Sequence, residues 1–322
     1  MKSPTIKTLA AAALLASAHT AQAIPADTKY IDATAKWMVH LDIDALMDSS
    51  VAQHALETNP HLSGQKLKAL QTLTGIDIEK GLHGITIFGN GEPDNGVVIV
   101  HAQAKQENLV SFVQLNDKYQ SKEHNGHTIH SFPDDKKPGK RISACFMPGN
   151  KIVFGQKTGL VEQGIDLLSG DRPAINSNGE MEELGNFQDY PVLLAYGDFS
   201  ALHKNKNPKK AAAFQQAKRL GVSLGEEEGH VKGMLGIVTE NAETALQVEN
   251  FLRGIIAMGM LSQENNPALA TLASAVQVKR KESTLVGLEV EIATKKLIEI
   301  GETLNKGKKK HKAKAPKTEA AE

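Results

Sequence analysis

A single cysteine, Cys145, stands in a chain of 322 residues, so no internal disulfide can form. Tryptophan occurs once and aromatic residues make up 4% of the chain. Formal net charge is zero. The apolar run Leu9 to Ala16 is far shorter than the roughly 20 residues a membrane-spanning helix needs. These absences exclude a disulfide scaffold and a helical membrane span. Without cross-links, the chain holds itself together by burial, and its length suffices for one sizeable core or two. Cys145 lies in the strand-like run Ile142–Met147, where a small buried hydrophobe is the expected role.

The N-terminus has a positive segment (Lys2, Lys7), then the short apolar run, then Ala21-Gln22-Ala23 at a cleavage-like site. That three-part order predicts an export signal over residues 1–23 and a periplasmic or extracellular address. No cysteine follows it for lipid attachment. The zero charge is also uneven. Two basic residues fall in the signal, and seven lysines crowd into the end: Lys306, Lys308, Lys309, Lys310, Lys312, Lys314 and Lys317. Setting these and the terminal Glu319 and Glu322 aside leaves 28 basic residues against 35 acidic ones, near −7.

Periodicity places the elements. Trp37, Val39, Leu41 and Ile43 alternate with polar residues, which predicts a strand running to Asp44. Residues 84–88 and 96–102 predict two strands joined by the turn-forming run 89–95. Leu109, Phe112 and Val113 predict a helix with those residues inward. Residues 127–132 and 142–155 predict more strands, and 158–169 a helix stopped by Gly170. The polar stretch 171–189 reads as a loose connection. Beyond it come a strand at 191–198, a helix at 207–220, a strand at 231–239 and a helix with Ala245, Val248, Leu252, Ile255 and Gly259 inward. A strand at 286–292 and a helix from Thr294 to about Asn305 complete the pattern.

The expected fold is α+β, in two similar halves, each a largely antiparallel sheet packed by helices. The first domain is assigned to residues 24–175 and the second to 190–304, with a disordered Lys-rich tail at 305–322. Leu41-Asp42 aligns with Gly197-Asp198, and Gly96–Leu109 with Gly233–Leu246, pointing to an internal duplication.

No motif carries a catalytic set. Gly221-Val222-Ser223-Leu224-Gly225 matches a nucleophile elbow in letters, but a predicted helix precedes it and no Asp follows it. It reads as a loop. Gly149 to Thr158 lacks the lysine and the free loop of a phosphate-binding turn. Two weak metal candidates remain. His40 and Asp42 share a strand face with Asp44, though an end-of-strand capping role also accounts for the acids. His124 and His127 flank Asn125-Gly126, a hairpin turn, with His130 on the opposite face from His127. Glu226–Glu228 read as a solvated acidic turn.

Leu73-Thr74-Gly75-Ile76-Asp77, Gly84–Gly89 and Gly96–Ala102 follow a strand–Asp–helix opening. Over most of residues 35–295 this order resembles uncharacterised exported α+β proteins of environmental Gram-negative bacteria. The resemblance implies the fold and brings no activity and no site residues.

The leading expectation is a non-enzymatic envelope protein, with no cofactor. Lys306, Lys308, Lys309, Lys310, Lys312, Lys314 and Lys317 would contact an anionic polymer or membrane surface. The tail has no aromatic residue to stack on bases, so no nucleic-acid partner is expected. The alternatives are a metal-dependent periplasmic enzyme using the histidine sites, and a carrier of an apolar ligand in a cavity lined by residues such as Met258 and Met260.

Overall fold

Strands with one apolar face must bury it, and here twelve of them do so in one sheet. A computed structural model describes residues 27–58, 71–72, 75–77, 80–134, 136–175, 192–199 and 217–314. Residues 1–23, expected to be an export signal, residues 176–191 and Lys317 lie outside them. The first half supplies β1 (Trp37–Asp42), α1 (Ile43–Asp48), α2 (Ser50–Thr58), β2 (Leu82–Gly89), β3 (Gly96–Ala102) and α3 (Gln106–Gln114). It continues with β4 (Gln120–His124), β5 (His127–Pro133), β6 (Arg141–Met147), β7 (Lys151–Gly155) and α4 (Thr158–Ser169). The second half supplies β8 (Leu193–Asp198), β9 (Ala217–Glu227), β10 (His230–Thr239), α5 (Ala242–Leu261), α6 (Pro267–Ser274), β11 (Val276–Arg280), β12 (Leu285–Ala293) and α7 (Thr294–Lys314).

The fold is α+β, and its strand pairs are antiparallel throughout. The order across the sheet is β11-β12-β10-β9-β8-β1-β2-β3-β7-β6-β5-β4. Read outward from the middle, β1-β2-β3-β7-β6 matches β8-β9-β10-β12-β11. The central pair, β1 with β8, has Val39 opposite Ala195, with Trp37 opposite Gly197 and Leu41 opposite Leu193. The two halves therefore share a connectivity and meet edge to edge, with the pair Leu41-Asp42 and Gly197-Asp198 in corresponding places.

Their cores lie on opposite faces. Met38, Phe88, Val97, Ile99, Cys145 and Val153 point to one side, where Leu160, Val161 and Ile165 of α4 cover them. Each such buried aliphatic side chain contributes about 2 kcal/mol. Gly164 lets α4 approach, since a Cβ there would lie 2.5 Å from Val153. The same face continues through Tyr196, Gly221 and Gly236. The second core uses the alternate residues, Ile237, Val278 and Val286, packed with Ala245 and Val248 of α5. Val231, Ile292 and Ile300 form a third cluster on that side with residues of α6 and α7.

Several expectations change. The strand of β1 ends at Asp42, and Asp42 caps α1 by accepting from the Ala45 N–H at 2.9 Å. Asp44 thus sits on a helix and shares no strand face with His40 and Asp42. Residues 207–216 lie outside the described residues, but Ala217–Leu220 are strand, not helix. Their pairing with Arg219–Leu220 opposite Val238 and Ile237 in the β9–β10 hairpin overrides local helical spacing. Ser223 is accordingly in mid-strand, not in a loop. Glu228 and Gly229, at φ 48° and 74°, form the hairpin turn, while Glu226 and Glu227 end β9, so only the last of the three acids is in a turn. Residues 171–175 are tied down: Asp32 bridges to Ala174 and pairs with Arg172. In α3, Val110 replaces Phe112 on the inner side, and Phe112 is exposed.

The largest correction falls at the C-terminal end. Disorder was expected over 305–322, but α7 runs on to Lys314. Lys306, Lys308, Lys309, Lys310, Lys312 and Lys314 are therefore helical residues, not members of a disordered tail. The physical reason is cooperativity. A helix nucleated on buried Ile300 propagates cheaply, and lysines near its C-terminus suit the helix dipole.

Candidate functional site

Cross-strand register assembles a polar row in the first core. Asp42 of β1 lies opposite Gly84 of β2, and Gly84 lies opposite His101 of β3. One step along, His40 lies opposite Thr86, and the His40 Nδ1 hydrogen-bonds to the Thr86 Oγ1 at 2.9 Å. All four side chains are buried. Glycine in the middle means that β2 itself puts no side chain between Asp42 and His101. The two flank two strand spacings, about 10 Å between Cα atoms. Asp42 Oδ2 and His101 Nε2 each lack a hydrogen-bond partner. At the rim, the Tyr30 ring lies 5.3 Å from the His101 ring, and the Lys151 ammonium lies over Tyr30. Behind the row, His83 Nδ1 bonds to Asp44 at 3.0 Å.

Burial sets the electrostatics. It pushes the Asp42 carboxyl up to about 6, aided by the charges of Asp44 and Asp48 and opposed by backbone N–H bonds. It pushes His101 down to about 4, and the nearby Lys151 and His40 add to the effect. At neutral pH, Asp42 is mostly ionised and His101 neutral. That combination suits a proton acceptor, but Asp42 has no exposed surface through which a substrate could reach it.

The other histidine candidates lie elsewhere. His124 and His127 face each other across the β4–β5 hairpin, whose Asn125-Gly126 turn has φ of 48° and 77°. His124 Nε2 bonds to Asp166 of α4 at 2.6 Å, and Asn125 donates to the same carboxylate at 2.8 Å. His130 points to the other face and hydrogen-bonds Tyr119 Oη through Nδ1 at 2.8 Å. Five strand spacings, about 24 Å, separate β1 from β5, so His40 and Asp42 do not meet His124 and His127. Among the described residues, no group of three His, Cys, Asp or Glu side chains is placed to hold a metal ion. Ser223 is buried, and its Oγ has no hydrogen-bond partner. Glu226 is spent on structure, accepting from Thr294 Oγ1 at 3.0 Å, and Glu227 pairs with Lys232.

The lysines expected to meet an anionic surface divide between two settings. Lys306, Lys308, Lys309, Lys310, Lys312 and Lys314 follow one another on the backbone of the last turns of α7. Lys317 lies outside the described residues. The anchor of that helix is upstream, where Leu297 and Ile300 pack with Val231 and Ile292 of the sheet.

One open cleft of about 940 Å³ lies between α3 and the ends of β5 and β6. Val110, Phe146, Met147 and Pro148 form its apolar part, and Lys105, Glu107, His127 and His130 its polar part. A second, of about 630 Å³, lies on the far strands among Lys232, Lys279, Glu289 and Glu291. Its charges are largely paired internally, Glu289 with both Lys279 and Lys281. Met258 and Met260 are both exposed on α5, so they line no internal cavity.

No family model matches the chain, and no curated protein matches it. Among solved structures, crystal form III of TP0453 aligns over 87% of this chain and 99% of its own, at 8% identity and a TM-score of 0.49. Crystal form IV aligns over 88% and 99%, at 8% identity and a TM-score of 0.47. A likeness at that level carries no argument about function.

Sequence reasoning missed His83, Thr86 and His101. Alternation was the available signal for two of them: Val97, Ile99 and His101 share one side of β3, and Thr86 and Phe88 one side of β2. Nothing local marks His83, because its partner Asp44 comes from a helix 39 residues away. No helix among the described residues is long and apolar enough to cross a membrane.

Proposed function

We propose that this chain is an exported, non-enzymatic binding protein of the cell envelope whose lysine-bearing C-terminal helix contacts an anionic surface. The observation that carries this reading is the continuation of α7 through Lys314. Lys306, Lys308, Lys309, Lys310, Lys312 and Lys314 belong to one helical segment, about 12 Å long, instead of a free tail. That segment grows from a helix anchored through Leu297 and Ile300 to the sheet. Charge concentrated on an anchored helix binds an anionic polymer or lipid headgroup layer, and salt screens it. The test deletes residues 305–322 and measures retention on envelope fractions and anionic vesicles across a salt series. Loss of a salt-sensitive component on deletion supports the reading; unchanged, salt-insensitive retention defeats it.

A second reading, a carrier of an apolar ligand, is favoured by the cleft beside α3 with its floor of Val110, Phe146 and Met147. Its volume falls in the range of small-molecule sites. Native mass spectrometry of gently purified protein tests it: a bound species lost in Phe146→Asp supports it, and a clean apo mass with no uptake of fatty acid ends it. The metal-dependent enzyme reading is tested by elemental analysis of chelator-free protein.

A further inference from the structure

The outer side of α5 presents apolar surface that the fold leaves uncovered. The residues this helix buries are small: Ala245, Val248 and Gly259. Leu252 and Ile256 lean against the same core, but four other large side chains face outward. Phe251 is 55% exposed, Ile255 44%, Met258 65% and Leu261 84%. A helix that needed only to cover the sheet would carry polar residues on this second flank.

Spacing says what kind of surface this is. Phe251, Gly254, Ile255, Met258 and Leu261 fall at positions a, d, e, a and d of a seven-residue repeat. That is the spacing of a seam for another helix; Leu246 and Met260, also exposed, fall outside it at the position of Arg253. Gly254 lies in the seam with open space where its Cβ would be, so a second backbone can approach closely.

Charge decides between occupants. One edge of the seam turns into the core, and the other is Asn250 and Ala257, both uncharged; Glu243, the matching position one repeat earlier, lies beyond the seam's end. The helix's ion pair, Glu249 with Arg253, lies on its opposite side, where Glu249 also binds Arg280. A helix binding an anionic bilayer carries Lys or Arg beside its apolar stripe. A charged partner protein calls for opposite charge at the rim. A second copy calls for neither: near a two-fold axis every charge faces its own image, and an uncharged rim avoids that repulsion. We propose that α5 forms the interface of a two-fold dimer of this chain, in which the Phe251–Leu261 seam packs against its copy across Gly254.

The four apolar side chains expose roughly 400 Å² together. Pairing them with a polar rim buries about 1,200 Å² in total, the lower limit for specific association. The dimer therefore forms at micromolar or higher concentration. The inference does not depend on the lysine helix.

Sedimentation velocity of the purified chain from about 1 to about 500 µM tests it. The expected result is a mass rising from monomer to dimer. Phe251→Glu combined with Met258→Glu holds it at monomer, with far-UV circular dichroism and melting temperature unchanged. As a second arm, Ala257→Cys, beside the seam, gives a disulfide-linked dimer under mild oxidation, while buried Cys145 stays unreactive. A monomer at every concentration with no cross-link overturns the proposal, as does a dimer indifferent to the double substitution. A monomer whose binding to neutral or anionic vesicles is lost in the double variant overturns it in favour of a bilayer.

Discussion

Replacing Asp42 by asparagine removes a charge that the core holds unfavourably, and pH exposes how unfavourably. Burial lifts this carboxyl from 3.8 to about 6. Between those values the folded chain binds the proton more tightly than the unfolded chain. The stability Asp42 contributes is therefore fully present below about pH 4 and lost as pH rises through about 6. A shift of about two units corresponds to about 3 kcal/mol. His101 runs the other way, lowered from 6.5 to about 4 by burial and then by Lys151. Its contribution is present above about pH 6.5 and lost as pH falls through about 4, by a similar amount. In the parent chain the two slopes oppose each other, and stability changes little between them.

Single substitutions separate the two. Asparagine keeps an oxygen to accept from the Ala45 N–H, so the α1 cap survives. At about pH 7.5, Asp42→Asn is expected to be more stable than the parent by about 1–3 kcal/mol, with the advantage gone near pH 4. His101→Gln leaves only the Asp42 slope, so its stability climbs as pH falls. Urea unfolding followed by circular dichroism over this pH range measures both. Parallel curves for parent and Asp42→Asn, or a less stable variant at pH 7.5, would refute the reasoning.

Three further outcomes follow from packing. Cys145 is fully buried with its thiol pushed up to about 11, so it should resist a thiol reagent in the native chain and react fully after denaturation. Gly164→Ala drives a methyl into Val153 and should lower stability by about 1–3 kcal/mol, whereas Gly301→Ala meets open space on α7 and should raise it by up to about 1 kcal/mol; thermal melts of the pair give opposite signs if the packing is right. Asn241 accepts from the Thr244 N–H at 2.9 Å as the cap of α5, so Asn241→Ala should cost about 1 kcal/mol, read by the same melts.

Local pattern was enough for what depends on neighbours in sequence. Alternation located β1, β2, β3 and β12, turn residues located the β2–β3 and β4–β5 hairpins, and Gly170, at φ 84°, stopped α4 where expected. The α+β class and the matching order of the two halves were visible in the same way. The strand at Ala217–Leu220 was not, because it is made by pairing with β10, and an eleven-residue strand can hide under helical spacing. The end of α7 was misjudged because composition describes the isolated segment. An anchored helix extends through residues such as Lys306, Lys308, Lys309, Lys310 and Lys312 that could not start one.

The polar row shows the division most clearly. The sequence determined that Asp42, Gly84 and His101 each occupy a strand, and on which side of that strand each one points. Only the tertiary register placed them in line, with glycine between and two hydrogen-bonding atoms unmatched. The same holds for α5, whose amphipathic spacing was plain but whose Ile255 was assigned inward. Which flank of a wide apolar helix meets the sheet is decided by close packing of Ala245, Val248 and Gly259, a three-dimensional fit that hydropathy along the chain does not encode.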